Sequence, residues 1–197
     1  MSFKKRIVGV IGLGHVGAHV AFNLGVLGIA DEVKLCDVNH DKLVSERQDF
    51  MDAVMFMPHR VNYTIASYEE LADCDVIVNA IGDIKLCASG NRDDEMHFTV
   101  PQVADYIPKV MAGGFKGIII NITNPCDVIT DLIAKKSGLP KGHVFGTGTG
   151  LDSSRLVSAI SQQTGLDHHS FSAYMMGEHG NSQIVPWSLI HFGGKPL

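Results

Sequence analysis

Val8-Gly9-Val10-Ile11-Gly12-Leu13-Gly14-His15-Val16-Gly17 is the stretch that decides how this chain folds. It begins inside an apolar run, Ile7 to Ile11, that reads as a buried strand. It then turns through Gly12-x-Gly14-x-x-Gly17 into a helical pattern from His15 to about Leu27. Gly12 suits a tight turn, Gly14 lets a phosphate group approach the backbone, and Gly17 lets helix and strand pack closely. A second strand, Glu32 to Cys36, ends in Asp37, 20 residues after Gly17. A carboxylate there is placed to accept hydrogen bonds from a ribose diol. Glycine turns alone often mean only tight packing, and an Asp after a strand is often only a turn residue. Strand, turn, helix and acid together point to a dinucleotide.

Asp37 also bears on which dinucleotide. A carboxylate repels the extra phosphate of NADP, whereas an arginine attracts it. Val38, Asn39 and His40 follow, with no arginine close by, so NAD is favoured.

Strands and helices alternate outward from this unit. Helical pattern runs from about His40 to Met55, and a short strand from Val61 to Ala66. Tyr68 to Ala72 reads as a short helix that Ser67 could cap. Asp75 to Gly82 and Ile118 to Ile122 are buried strands. The first ends in Ile81-Gly82 and the second in Thr123-Asn124-Pro125, whose Asn-Pro bond either isomer would fit. Asp83 to Asn91 has little pattern and reads as a mobile surface loop. Arg92 to Ala112 is helical, with a break or kink expected at Pro101 or Pro108. A helix from Asp127 to Lys136 closes at Gly138, and Val144-Phe145 is a short strand. This order predicts an α/β fold with a doubly wound parallel sheet. Ligands bind such sheets beyond the C-terminal strand ends, so Gly12, Asp37, Gly82 and Asn124 should converge.

The last fifty or so residues hold the polar chemistry. Leu151-Asp152-Ser153-Ser154-Arg155 opens a helix to about Gln163 and puts Asp152 and Arg155 on one face. That spacing also suits a plain surface ion pair. Ser170 to Met176 and Gln183 to Trp187 look strand-like, and Gly177-Glu178-His179-Gly180-Asn181 lies between them. His179 between glycines is accessible, although a lone histidine is more often structural than catalytic.

Composition excludes several classes. The 197 residues are 45% hydrophobic and 19% charged, as in a globular chain with a core. A formal charge of −5 provides no basic field for nucleic acid, and no apolar run reaches the ~20 residues of a membrane span. Cys36, Cys74, Cys87 and Cys126 form no CxxC pair and read as reduced thiols of a cytoplasmic protein. The adjacent His168 and His169 would point to opposite faces of a strand, so no metal is expected.

The glycine turn, Asp37, Thr123-Asn124-Pro125, Leu151-Asp152-x-x-Arg155 and Gly177-Glu178-His179-Gly180 resemble, in order and spacing, the L-2-hydroxy-acid dehydrogenase family of lactate and malate dehydrogenases. Gly82-Asp83-Ile84-Lys85-Leu86 and Gly177 to Gln183 are most similar to its hydroxyisocaproate branch. The resemblance implies a Rossmann NAD-binding domain over 1–144 and the beginning of an α+β catalytic domain over 145–197. It implies hydride transfer between NAD(H) and C2 of a 2-oxo acid. His179 would be the acid–base group, and Asp152 would orient it. Arg155 would clamp the substrate carboxylate, and Arg92 would polarise the carbonyl when its loop closes. Asn124 would position nicotinamide and substrate oxygen. The cofactor set would be Gly12, Leu13, Gly14, His15, Val16, Gly17, Asp37, Ile81, Gly82, Asn124 and Thr147.

Counting back from Arg92, the family's discriminating position falls at Leu86. Leucine cannot pair with a second carboxylate, which favours an apolar substrate side chain over malate or oxaloacetate. Lactate and malate dehydrogenase remain the alternatives, as does an NAD-binding module without turnover. Family members carry roughly a further hundred residues, a domain-sized piece. Retained NAD binding, weak or absent turnover and unpartnered strands near the end are therefore expected of this chain alone. A homodimer or homotetramer is implied for the completed fold.

Overall fold

The computed structural model describes residues 4–83, 86 and 92–196, apart from the side chains of Arg92 and Asp93. The chain divides into two units, one ending at Gly146 and the other starting at Thr147.

The first unit is built on six parallel strands. They are β1 (Ile7–Ile11), β2 (Glu32–Cys36), β3 (Asn62–Ile65), β4 (Val76–Asn79), β5 (Ile118–Asn121) and β6 (Val144–Gly146), in the order β3-β2-β1-β4-β5-β6. The order reverses between β1 and β4, which pair from Val8↔Val76 to Ile11↔Asn79. Sheets of this order bind ligands beyond that point of reversal.

Strand residues alternate between two buried layers, as the period of a strand requires. Val8 and Val10 of β1 and Val78 of β4 pack with Ala21, Leu43, Phe50 and Tyr63. These come from α1 (His15–Val26), α2 (His40–Ala53) and β3. Ile11 and Ile77 face the other way, onto Val103, Tyr106, Ile107, Ile129 and Ile133. Those belong to α3 (Arg92–Ala112) and α4 (Cys126–Ser137). Both faces of the sheet are covered, so its strands read as apolar runs.

Local chemistry sets several element ends. Asn39 caps α2 by accepting from the Lys42 N–H. Ser67 and Glu70 cap each other reciprocally, with the Ser67 N–H on the Glu70 carboxylate at 2.7 Å and the Glu70 N–H on Ser67 Oγ at 3.4 Å. The turn they open is a 3-10 helix, Glu69–Asp73. Gly138 ends α4 in the left-handed region. The Asn124–Pro125 bond is cis.

Two expectations are corrected. α3 runs unbroken through Pro101 and Pro108. Val103, Tyr106, Ile107 and Val110 are almost wholly buried, and this packing outweighs the missing N–H groups. In the second unit the expected strands shrink. That unit holds α5 (Gly150–Thr164), β7 (Phe171–Ser172), β8 (His191–Phe192) and β9 (Lys195–Pro196), the strands pairing antiparallel. Between 173 and 190 the described ladder is one bridge, Met176↔Ile184. A strand persists only beside a partner. β8 reaches just Phe171 and Ser172, and Pro186 has no N–H to donate.

Candidate functional site

Gly12 and Gly17 meet the backbone demands that their spacing suggests. Gly12 has φ +89, and a Cβ there would lie 2.8 Å from the Ala80 backbone. A Cβ on Gly17 would lie 1.8 Å from the Gly12 carbonyl oxygen, so only glycine lets α1 pack this close to the turn. Gly14 is different: a Cβ would meet nothing within 4 Å. The space above Gly14 faces the N-terminus of α1, which has no acidic residue in its first turn and no side-chain cap. Open backbone at the positive end of a helix dipole fits a pyrophosphate.

Asp37 is fixed by the same turn. Its Oδ2 accepts from the Leu13 N–H at 2.6 Å and its Oδ1 from the Asn39 N–H at 2.8 Å. Each oxygen keeps a second lone pair. Asp37 lines a small cavity of about 90 Å³ with Gly12, Gly14 and Gly82. Gly14, Ile81, Gly82 and Phe98 also line a larger neighbour of about 460 Å³. His15, Val16, Leu86, Ile122, Thr123 and Asn124 complete much of its wall. The two together form a groove along the C-terminal ends of β1, β2, β4 and β5. Gly12, Asp37, Gly82 and Asn124 all border it.

Sequence reasoning missed part of this wall. Lys42 of α2 lines the larger cavity, as do Asp83 and, from α3, Glu95, Phe98 and Thr99. With Gln102, which lines the smaller cavity, the α3 residues recur at helical spacing and so share one face. That periodicity, counted from Arg92, was the available signal. The Arg92 side chain and most of the loop before it (84, 85 and 87–91) lie outside the described residues. The reading of that loop as mobile falls there too.

The second unit brings three predicted residues together. Asp152, in the first turn of α5, is 9% exposed. Its Oδ2 lies 2.5 Å from His179 Nδ1, and its Oδ1 accepts from Arg155 Nη1 at 3.3 Å. Burial acts to raise the Asp152 pKa. The hydrogen bond and charge of His179, and then Arg155, outweigh it and hold the carboxyl below its usual range. Two bonds deliver the histidine segment to α5. Thr149 Oγ1 donates to the Met175 carbonyl at 2.8 Å, and Ser153 Oγ accepts from the Met175 N–H at 2.9 Å. Gly177, at φ +99, turns the chain between Met175 and His179. Thr147 lies just before α5, its carbonyl accepting from the Gly150 N–H.

A doubly wound sheet with this glycine turn and acid defines a dinucleotide-binding protein. Residues 6–146 match the model of the lactate/malate dehydrogenase NAD-binding domain, and 149–197 that of the α/β C-terminal domain. The chain belongs to the lactate/malate dehydrogenase family, and its cofactor is NAD. It is 39% identical over 194 residues to an L-lactate dehydrogenase of Fusobacterium nucleatum, covering 98% of this chain and 60% of that one. It is 39% identical over 197 residues to L-lactate dehydrogenase 1 of Bifidobacterium longum, covering 100% and 62%. Among solved structures, the minor L-lactate dehydrogenase of Enterococcus mundtii in its ligand-bound form superposes with a TM-score of 0.91 at 33% identity, covering 98% of this chain and 61% of that one. A lactate dehydrogenase from Cryptosporidium parvum, complexed with lactic acid and NAD, gives 0.89 at 25% identity, covering 99% and 61%. The chain thus spans about three fifths of the length of these relatives. They carry the lactate dehydrogenase name rather than the narrower hydroxyisocaproate one. No helix among the described residues is long and apolar enough to cross a membrane.

Proposed function

We propose that the chain serves reversible hydride transfer between NAD(H) and C2 of a 2-hydroxy or 2-oxo acid. One observation carries this reading: a buried carboxylate, Asp152, bonded at 2.5 Å to His179 in a chain of this family. Asp152 sets the tautomer with the proton on Nδ1. Nε2 is then the nitrogen that gives a proton to the carbonyl oxygen or takes it back. Bound NAD(H) supplies or accepts the hydride.

The other residues bind and orient. Arg155 clamps the substrate carboxylate with paired hydrogen bonds, exchanging part of its contact with Asp152. Arg92 polarises the carbonyl. Asp37 takes the ribose diol, the Gly12–Gly17 turn takes the pyrophosphate, and Asn124 orients the nicotinamide and substrate oxygen. Residues 1–144 hold the cofactor, and 145–197 bring the acid–base group.

Leu86 supports the choice of substrate. It shares a cavity wall with Phe98 and Ile122, which suits an apolar side chain, and it offers a second carboxylate no partner of its own. The narrower reading is a branched-chain substrate such as 2-oxoisocaproate, with pyruvate as the smaller apolar alternative. The buried thiols of Cys36 and Cys74, pushed by burial up to about 12, fit a reduced cytoplasmic protein. A homodimer or homotetramer is the assembly this reading expects.

Titration with NADH and NADPH, followed by turnover of 2-oxoisocaproate, pyruvate and oxaloacetate, tests the reading. NADH binding with preference for the first two substrates supports it. Preference for oxaloacetate overturns the substrate assignment. NADH binding without turnover of any 2-oxo acid leaves a cofactor-binding module.

A further inference from the structure

Between β4 and β5, at the floor of the cofactor groove, lies a pair of wholly buried amides. Asn79 and Asn121 are register partners, and each is 0% exposed. Asn79 Nδ2 donates to Asn121 Oδ1 at 2.8 Å. Apolar neighbours fill the rest of both strands, and the strands are already joined by their ladder from Val76↔Ile118 onward. Asn79 Oδ1 has no hydrogen-bond partner among the described residues. A buried orphan acceptor costs stability, so an apolar pair would hold these strands better.

The Asn121 amide instead holds the turn that follows it. Its Oδ1 accepts from the Thr123 N–H at 3.1 Å, and its Nδ2 donates to the Thr123 carbonyl at 3.1 Å. The same Nδ2 reaches the Cys126 carbonyl at 3.0 Å and Thr130 Oγ1 at 3.1 Å, both on α4. One side chain thus grips the backbone on either side of Asn124. Thr99, on α3, adds a second tether: its Oγ1 lies 2.9 Å from the Asn124 carbonyl and 2.9 Å from the Glu95 carbonyl of its own helix, so its one hydrogen is shared between them. Thr123 Oγ1 ties the turn to the Ile81 carbonyl at 2.8 Å, and both residues line the larger cavity. The backbone of Thr123 and Asn124 is therefore held by Asn121 of β5 and Thr99 of α3, while Asn121 is itself tied to α4 and the Thr123 side chain to the segment after β4.

We infer that Asn121, steadied by Asn79 and assisted by Thr99, is a positioning residue that fixes the Asn124 turn for the nicotinamide end of the cofactor. The inference rests on the reading of Asn124 given above. It divides the groove into a rigidly set nicotinamide end and an ADP-ribose end set independently by the glycine turn and Asp37.

NADH and ADP-ribose binding to the full chain separates these ends, because ADP-ribose lacks the nicotinamide. Asn121→Val removes the grip, and Thr99→Val removes the second tether from another element. Thr99→Ser, which keeps the hydroxyl, is the rescue. NADH affinity should fall about tenfold or more in both valine variants, with loss of the fluorescence change of bound NADH. ADP-ribose affinity should stay within about twofold, and Thr99→Ser should bind NADH like wild type. Thr99→Val keeps the test open if Asn121→Val fails to fold. Equal weakening of both ligands, or of neither, overturns the positioning role. Failure of the wild-type chain to bind either ligand overturns the cofactor reading, and this inference with it.

Discussion

His179 Nδ1 lies 2.5 Å from Oδ2 of Asp152, a carboxylate 27 residues earlier that the fold has almost removed from water. Neither residue reaches the other by local sequence. The contact depends on Met175, bonded to both Thr149 and Ser153 at the start of α5. Asp152→Asn keeps the shape and removes the charge. Turnover should fall on the order of 10²–10⁴-fold, the range that positioned acid–base catalysis supplies, while NADH affinity holds. Steady-state kinetics beside a binding titration checks both.

The same carboxylate gives a pH signature in stability. Its folded pKa lies below the unfolded value, so it stabilises the fold above the ordinary carboxylate range. That contribution is lost as pH falls through the lower, folded value. Asp152→Asn should therefore be less stable than wild type near pH 7, and the gap should close below about pH 4. Thermal melts of both proteins across pH 3 to 7 measure it. A gap that stays constant into acid would remove Asp152 as its source.

Two glycines of the turn should respond oppositely to one methyl group. Gly17→Ala puts a carbon onto the Gly12 carbonyl oxygen, a clash that α1 can relieve only by moving. It should cost about 3 kcal/mol or more of stability. Gly14→Ala enters open space at an ordinary backbone conformation, φ −60 and ψ −174, so stability should change by less than about 0.5 kcal/mol. The methyl would nonetheless stand where a pyrophosphate approaches, and NADH affinity should drop. Denaturant melts and an NADH titration of the two variants separate packing from binding.

What was legible in the sequence follows from the range of the forces involved. β1, the glycine turn and Asp37 were readable because period, turn chemistry and spacing are local and agree. The reciprocal cap is only half visible, since Ser67 suggests a cap while Glu70 reads simply as part of the helix it opens. The fate of Pro101 and Pro108 was hidden, because the burial of Tyr106 and Ile107 that overrides them is tertiary. The short β7 was hidden too, since a strand's length is set by what lies beside it. At the groove, Asn124 was visible as part of a motif. Asn121 was not, because an asparagine in an apolar strand shows no purpose until its partners are known.

Asp37 holds the glycine turn and, in the proposed reading, also selects the cofactor, so its removal should have two effects. Asp37→Ser strips acceptors from the Leu13 and Asn39 N–H groups, which steadies the turn less well. It also removes the charge opposing a 2′-phosphate. NADH should bind on the order of 10–100-fold more weakly, the loss of one charged hydrogen-bonding partner, while NADPH loses less or gains. The ratio of the two dissociation constants is the quantity to measure. A ratio unchanged by the substitution would detach Asp37 from cofactor choice.

Leu86 offers the sharpest test of substrate reading, because a single charge should redirect it. It sits on the wall of the larger cavity beside Phe98, where a second substrate carboxylate would find no cation from that side chain. Leu86→Arg supplies one. A charge-assisted hydrogen bond contributes about 1.5–3 kcal/mol, so the preference for oxaloacetate over 2-oxoisocaproate should rise by roughly 10–100-fold. Part of that change should come from loss on the apolar substrate, whose side chain would then face a charged group. Ratios of kcat/KM for the two acids, in whichever form of the protein turns over, give the answer. If both substrates fall together, Leu86 lies outside the specificity pocket and the apolar-substrate reading loses its support.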